Sequence, residues 1–85
     1  MKITIRLFAK IREELGVDQF ELALDEGEQT IEVIVGLLSD EHGAAWEQCL
    51  NAPNTLYAIN QQIVEKHQSV KDGDELAFFP PVTGG

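Results

Sequence analysis

The sequence ends in Pro80-Pro81-Val82-Thr83-Gly84-Gly85, and these residue types in this order describe a chain tip built to deliver a functional group. Two prolines fix φ and hold the backbone extended. Two glycines follow, and without side chains they thread a narrow slot and reach an atom deep inside another molecule. The α-carboxylate of Gly85 is then the only functional group at the tip. A carboxylate is a poor electrophile. Conversion to an acyl-adenylate makes it reactive, and attack by a sulfur donor then leaves a thiocarboxylate. Gly85 is the least hindered residue for that chemistry. A loose or truncated terminus is the plain alternative. At an average glycine usage of about 7%, a terminal Gly-Gly arises by chance in roughly 0.5% of proteins, so its weight depends on the fold that presents it.

Other reactive types are thinly spread. Cys49 is the single cysteine, and its place beside Leu50 on a short apolar stretch reads as a small buried residue rather than a nucleophile. His42 and His67 lie far apart with no third ligand at metal spacing. Asp72-Gly73-Asp74-Glu75 lacks the rest of a calcium loop and reads as a turn. Trp46 reads as packing. No Ser/His/Asp set, phosphate loop or dinucleotide fingerprint is present.

Eighty-five residues make one domain. A hydrophobic share of 44% and a charged share of 25% are those of a globular chain. One cysteine excludes an internal disulfide and a cysteine-ligated iron–sulfur cluster, and it fits a reducing, cytoplasmic compartment. Polar residues interrupt the opening Met1-Lys2-Ile3-Thr4-Ile5-Arg6-Leu7, so no signal-peptide core or membrane span is expected. A net charge of −9 opposes nucleic-acid binding; it favours solubility and steers a basic protein partner.

The elements that must position the tail follow from periodicity. Residues 2–8 alternate, with Ile3, Ile5 and Leu7 on one face and Phe8 on the other. Lys10 to Leu15 form a short helix stopped by Gly16. Residues 18–24 alternate again. Thr30 caps a helix whose Ile31, Ile34, Val35 and Leu38 make one apolar stripe, ended by Gly43. Residues 44–50 suit another short helix. Strands are expected over 55–60, at Ile63-Val64 and over Glu75 to Phe79, where Pro80-Pro81 stops pairing. The order is strand, strand, helix, then three strands. A right-handed crossover places the first and last strands side by side and parallel. The expected fold is therefore α+β, a β-grasp (ubiquitin-like) mixed sheet packed on one main helix. It has a domain over 1–79 and an extended tail over 80–85. In that arrangement Leu76 and Phe78 face the helix while Phe79 faces out beside Phe8, and the two rings form one exposed apolar patch.

The segment Asp72 to Gly85 resembles the C-terminus of molybdopterin synthase small subunits. Ile5-Arg6-Leu7-Phe8-Ala9 with Ile11-Arg12-Glu13 is similar to that family's first strand and helix, and Ala58-Ile59-Asn60-Gln61 to its middle strand. Residues 44–54 carry no family signal. The resemblance implies a cytoplasmic sulfur carrier that works in a heterotetramer. An E1-like enzyme would adenylate Gly85 with ATP, and a sulfur donor protein would convert it to a thiocarboxylate. Residues Pro80, Pro81, Val82, Thr83 and Gly84 would carry it into the large subunit of the synthase. There sulfur would pass to cyclic pyranopterin monophosphate, two carriers per dithiolene. The chain itself would bind no cofactor or metal, nucleic acid or membrane. Catalytic side chains would belong to the large subunit. The family pattern adds Ile63 to the docking patch of Phe8 and Phe79. Three alternatives remain: a carrier for a thiamine-type pathway, a ubiquitin-like protein modifier that forms isopeptide bonds with lysines, and an interaction module with an incidental tail.

Overall fold

A computed structural model of the chain describes residues 1–27 and 29–80. Strand β1 (Lys2–Leu7) buries Ile3, Ile5 and Leu7 on one face, as the alternation requires. It leads into helix α1 (Ala9–Leu15), which stops at Gly16. That residue takes φ 73°, and its N–H donates to the Arg12 carbonyl. Strand β2 (Gln19–Ala23) returns antiparallel to β1, with Phe20 opposite Ile5 and Leu22 opposite Ile3.

Strand β3 (Gln29–Thr30) runs into the main helix, α2 (Ile31–His42). The Thr30 hydroxyl accepts a hydrogen bond from the Val33 N–H at 3.2 Å, and Glu32 sits in the first turn. Ile31, Ile34, Val35 and Leu38 are the buried stripe. Gly43 separates α2 from α3 (Ala44–Leu50), which sends Trp46 and Leu50 into the core. Strands β4 (Leu56–Ile59), β5 (Gln62–Val64), β6 (Ser69–Val70) and β7 (Glu75–Phe79) complete the described chain.

Five strands form one sheet in the order β2-β1-β7-β4-β5. β7 lies at its centre, parallel to β1 with Leu76 opposite Ile5, and antiparallel to β4 with Phe78 opposite Tyr57. The crossover through α2 thus joins the first and last strands as expected, and the fold is an α+β β-grasp. The core packs Ile3, Ile5, Leu7, Leu76 and Phe78 with the α2 stripe, Trp46 and Leu50. Each such side chain contributes about 1.5–3 kcal/mol by leaving water.

Two features differ from the sequence reading. Four strands, not three, follow α2. The addition, β6, pairs with β3 as a separate two-stranded sheet. Strands of two residues leave no alternation to read. Their purpose is local: the N–H groups of Ile31 and Glu32, unpaired within the helix, donate to the carbonyls of Gln68 and Lys66 at 3.0 Å each. Second, Asn60 and Gln61 form a turn rather than the end of a strand. Both take positive φ, 50° and 71°, in a two-residue hairpin loop between β4 and β5.

Candidate functional site

The outward face of the sheet is built on a row across four strands. Arg6 on β1 lies opposite Ala77 on β7, Ala77 opposite Ala58 on β4, and Ala58 opposite Ile63 on β5. The two alanines make a low floor between larger neighbours. Above it Phe8 and Phe79 stack with ring centroids 4.6 Å apart and planes 9° apart. Phe8 reaches this position because its backbone is still extended, at φ −120° and ψ 152°, and continues the alternation of β1; the chain turns only after it, with Ala9 at φ 52°. The Arg6 guanidinium lies 4.8 Å from the centre of the Phe8 ring and 3.6 Å from Glu75. Arg6, Phe8, Ala58, Gln61, Ile63, Glu75, Ala77 and Phe79 enclose a shallow depression of about 250 Å³. Ile63 is 64% exposed, unusual for so large an apolar side chain.

Phe8, Ile63 and Phe79 therefore lie on one surface, with the two rings half-buried and stacked on each other. Leu76 and Phe78 face the core, fully buried. Sequence reasoning missed Arg6, Ala58 and Ala77. Their signal was the cross-strand register, which a single sequence does not display. It also missed the Asn60 clasp that aims Ile63. The Asn60 side chain accepts from the Glu75 N–H at 3.0 Å and donates to Asp74 at 2.9 Å, which ties the hairpin loop to β7.

Pro80 directly follows Phe79 at the end of β7. Pro81, Val82, Thr83, Gly84 and Gly85 lie outside the described residues.

Cys49 differs from its expected buried place. It is half-buried at the edge of the core, and its thiol donates to the Glu14 carboxylate at 3.0 Å. Burial, that hydrogen bond and the charge of Glu14 push the thiol from its ordinary 9.0 up to about 11, against the opposing charge of Lys10. A thiol so held is a poor nucleophile at neutral pH. Burial also raises the Tyr57 phenol, which donates to the Leu50 carbonyl at 2.9 Å. Trp46 packs as expected, stacked on His42 with centroids 4.0 Å apart. Among the described residues no group of three His, Cys, Asp or Glu side chains is placed to hold a metal, and no helix is long and apolar enough to cross a membrane.

Residues 5–85 match the ThiS family. The chain belongs to that family. Its relatives include the molybdopterin synthase sulfur carrier subunit of Haemophilus influenzae, 41% identical over 98% of this chain and 99% of the relative. The protein of the same description from Escherichia coli is 40% identical, with the same two shares covered. Among solved structures, SAMP1 from Haloferax volcanii is similar over the whole of both chains, with a TM-score of 0.81 and 26% identity. The fold is also that of a chain in the complex of subunits 1 and 2 of the molybdopterin-converting factor from Helicobacter pylori, with a TM-score of 0.69, 22% identity and both chains fully covered. Family membership and the β-grasp fold agree with the resemblance read from the sequence.

Proposed function

We infer that this chain is the sulfur carrier subunit of a molybdopterin synthase, with Gly85 as the residue that carries the sulfur. The observation that carries the reading is the near-complete alignment, at about 40% identity, with two proteins of that description. The site agrees with it. A sulfur carrier needs a tail and a surface that docks it, and here Phe79, one ring of a stacked aromatic pair, directly precedes the tail in sequence.

In this reading a carboxylate oxygen of Gly85 attacks the α-phosphate of ATP on an E1-like enzyme, and pyrophosphate leaves. Sulfur at the sulfide level, delivered by a sulfur donor protein, then attacks the acyl carbon; the new C–S bond forms as the C–O bond to the phosphate breaks, and AMP leaves. The resulting thiocarboxylate passes into the large subunit, where its sulfur bonds to cyclic pyranopterin monophosphate; water then attacks the acyl carbon, the C–S bond to Gly85 breaks, the sulfur stays on the pterin and the carboxylate returns. Two carriers serve each dithiolene. Phe8, Ile63 and Phe79 hold the carrier on its partner, and Pro80 to Gly84 span the distance to the reacting atom. The chain binds no cofactor of its own in this scheme and works in the cytoplasm.

A second reading, a ubiquitin-like modifier, draws on the likeness to small archaeal modifier protein 1 from Methanosarcina acetivorans, 26% identical with a TM-score of 0.72. It shares the adenylation and differs in the acceptor, a lysine amine.

The deciding experiment is a reconstituted reaction with the large subunit, the activating enzyme, ATP and a sulfur source. Deleting Gly85, or adding one residue after it, displaces the reacting atom by about 3.5 Å, and near-attack geometry does not survive that. Both variants are expected to make no molybdopterin while unfolding at an unchanged temperature. Full product from a chain whose extension is shown by mass to remain attached would refute the mechanism. Lysine-linked conjugates without dithiolene would favour the modifier.

A further inference from the structure

Helix α2 is apolar on both sides. Ile31, Ile34, Val35 and Leu38 pack into the core, yet Val33 and Leu37, one turn apart on the outward side, stay 47% and 45% exposed. A helix that faces water ordinarily keeps that side polar, and apolar residues all round belong to a helix with neighbours on both sides. Between the two lies exposed Gly36. A glycine in mid-helix costs stability against alanine, and nothing inside the molecule calls for it. A Cβ there would meet no atom within 4 Å, and the backbone has no positive φ. What a glycine between two apolar side chains does provide is a notch where another backbone can come close. The charge around the notch has one sign. α2 carries Glu32, Asp40 and Glu41 and no lysine or arginine, and Glu47 on α3 lines the same flank as Glu32 and Asp40. None of these four carboxylates forms a salt bridge among the described residues, and the Lys66 ammonium beside them donates to Asn51.

We propose that the outward side of α2 is a second docking surface whose occupant is a basic amphipathic helix of a partner protein: its apolar ridge sits in the Gly36 notch between Val33 and Leu37, and its lysines or arginines meet Glu32, Asp40, Glu41 and Glu47. Anchors at i and i+4 are the spacing by which an amphipathic helix is recognised. The carboxylates select the sign of the partner and steer its approach. They also oppose a second copy of this chain, which would bring the same carboxylates and a net charge of −9 against them. α2 covers the face of the sheet that carries Ile5 and Leu76, whereas the alternation of β1 and β7 puts Arg6 and Ala77, with Phe8, Ile63 and Phe79, on the other face. A partner seated on α2 therefore leaves the aromatic patch open, and the chain can be held by one protein while another engages the patch.

The test titrates the isotopically labelled full-length chain with a synthetic peptide of about 20 residues, long enough to hold a helix, with leucine along one face and lysine beside it. Amide shifts in the NMR spectrum are expected at Val33, Gly36, Leu37, Asp40 and Glu41. Leu37→Gln and Gly36→Gln leave the net charge as it is, and each should weaken the peptide by about tenfold or more. Gly36→Gln should unfold at the same or a higher temperature, because glutamine is the better helix former, so its lost binding is not lost folding. Shifts spread over the acidic surface at large, or an affinity unchanged in both variants, would overturn the docking surface. Equal binding of the same peptide with glutamate in place of lysine would overturn the basic partner. Shifts at these amides as the chain alone is concentrated would give the face to a second copy and overturn it too. The measurement needs no ATP, activating enzyme or sulfur, so its failure leaves the sulfur-carrier reading standing, and a chain that binds the peptide but is never thiocarboxylated refutes that reading alone.

Discussion

Phe79 and Phe78 are neighbours in sequence and opposites in consequence. Phe78 is fully buried in the core, so Phe78→Ala should cost about 3–5 kcal/mol of stability. Phe79 rests on Phe8 at the surface, so Phe79→Ala and Phe8→Ala should each weaken binding to the large subunit by more than about 1 kcal/mol, measured by calorimetry, with a smaller loss of stability. Unchanged affinity in both would remove the stack from the docking surface. Cys49 gives a prediction in pH. Its thiol titrates at about 11 in the folded chain and 9.0 ordinarily, so folding favours the protonated form. That contribution is fully present below pH 9 and is lost as pH rises towards 11; Tyr57, also raised, acts in the same direction. Alkylation of Cys49 in the native protein should keep accelerating about tenfold per pH unit beyond pH 9, since only about a thousandth of the thiol is ionised at pH 8. Glu14→Gln should bring the plateau to lower pH, and an unmoved plateau would deny Glu14 its influence on the thiol. Cys49→Ser should retain full carrier activity in the reconstituted reaction.

At the scale of elements, the hairpin between β4 and β5 is held in a conformation that favours glycine. Gln61 sits at φ 71°, and Gln61→Gly should raise stability by about 0.5–1 kcal/mol in denaturant unfolding, since an L-residue in that region costs about 1–2 kcal/mol and glycine's extra chain entropy offsets part of the gain. Thr30→Ala should cost about 1 kcal/mol through loss of the α2 cap. The same elements show what a single sequence displays. The α2 stripe, the Thr30 cap, the Gly16 stop and the alternation of β1 were legible because each rests on local periodicity or on one residue's chemistry. The turn at Asn60-Gln61 was not, because it lacks the Gly that usually marks such loops. The β3–β6 pair was not, because it is two residues deep and joins segments about forty residues apart. The aromatic patch was readable once β1 and β7 were taken as parallel neighbours, whereas its alanine floor depends on register with β4 and β5. The tail chemistry was argued from residue types alone, and residues 81–85 lie outside the described residues.

At the scale of the molecule, the net charge of −9 predicts how the carrier meets its partners. If the large subunit presents a basic face, the association rate should fall steeply between low and physiological salt while the dissociation rate changes little. A rate indifferent to salt would leave the charge to solubility alone. The position of β7 has a mechanical meaning as well. A tail gripped inside another protein is a handle, and every separation of the two partners pulls on it. The strand behind that handle lies mid-sheet, bonded along one side to β1 and along the other to β4. A pull directed along β7 loads both ladders in shear, so their hydrogen bonds must fail together instead of peeling one by one. A hairpin at the sheet margin would unzip under the same load. If the tail enters a partner as proposed, the carrier can therefore be tugged free and keep its shape, which suits a part that is used, stripped and sent back to be charged again.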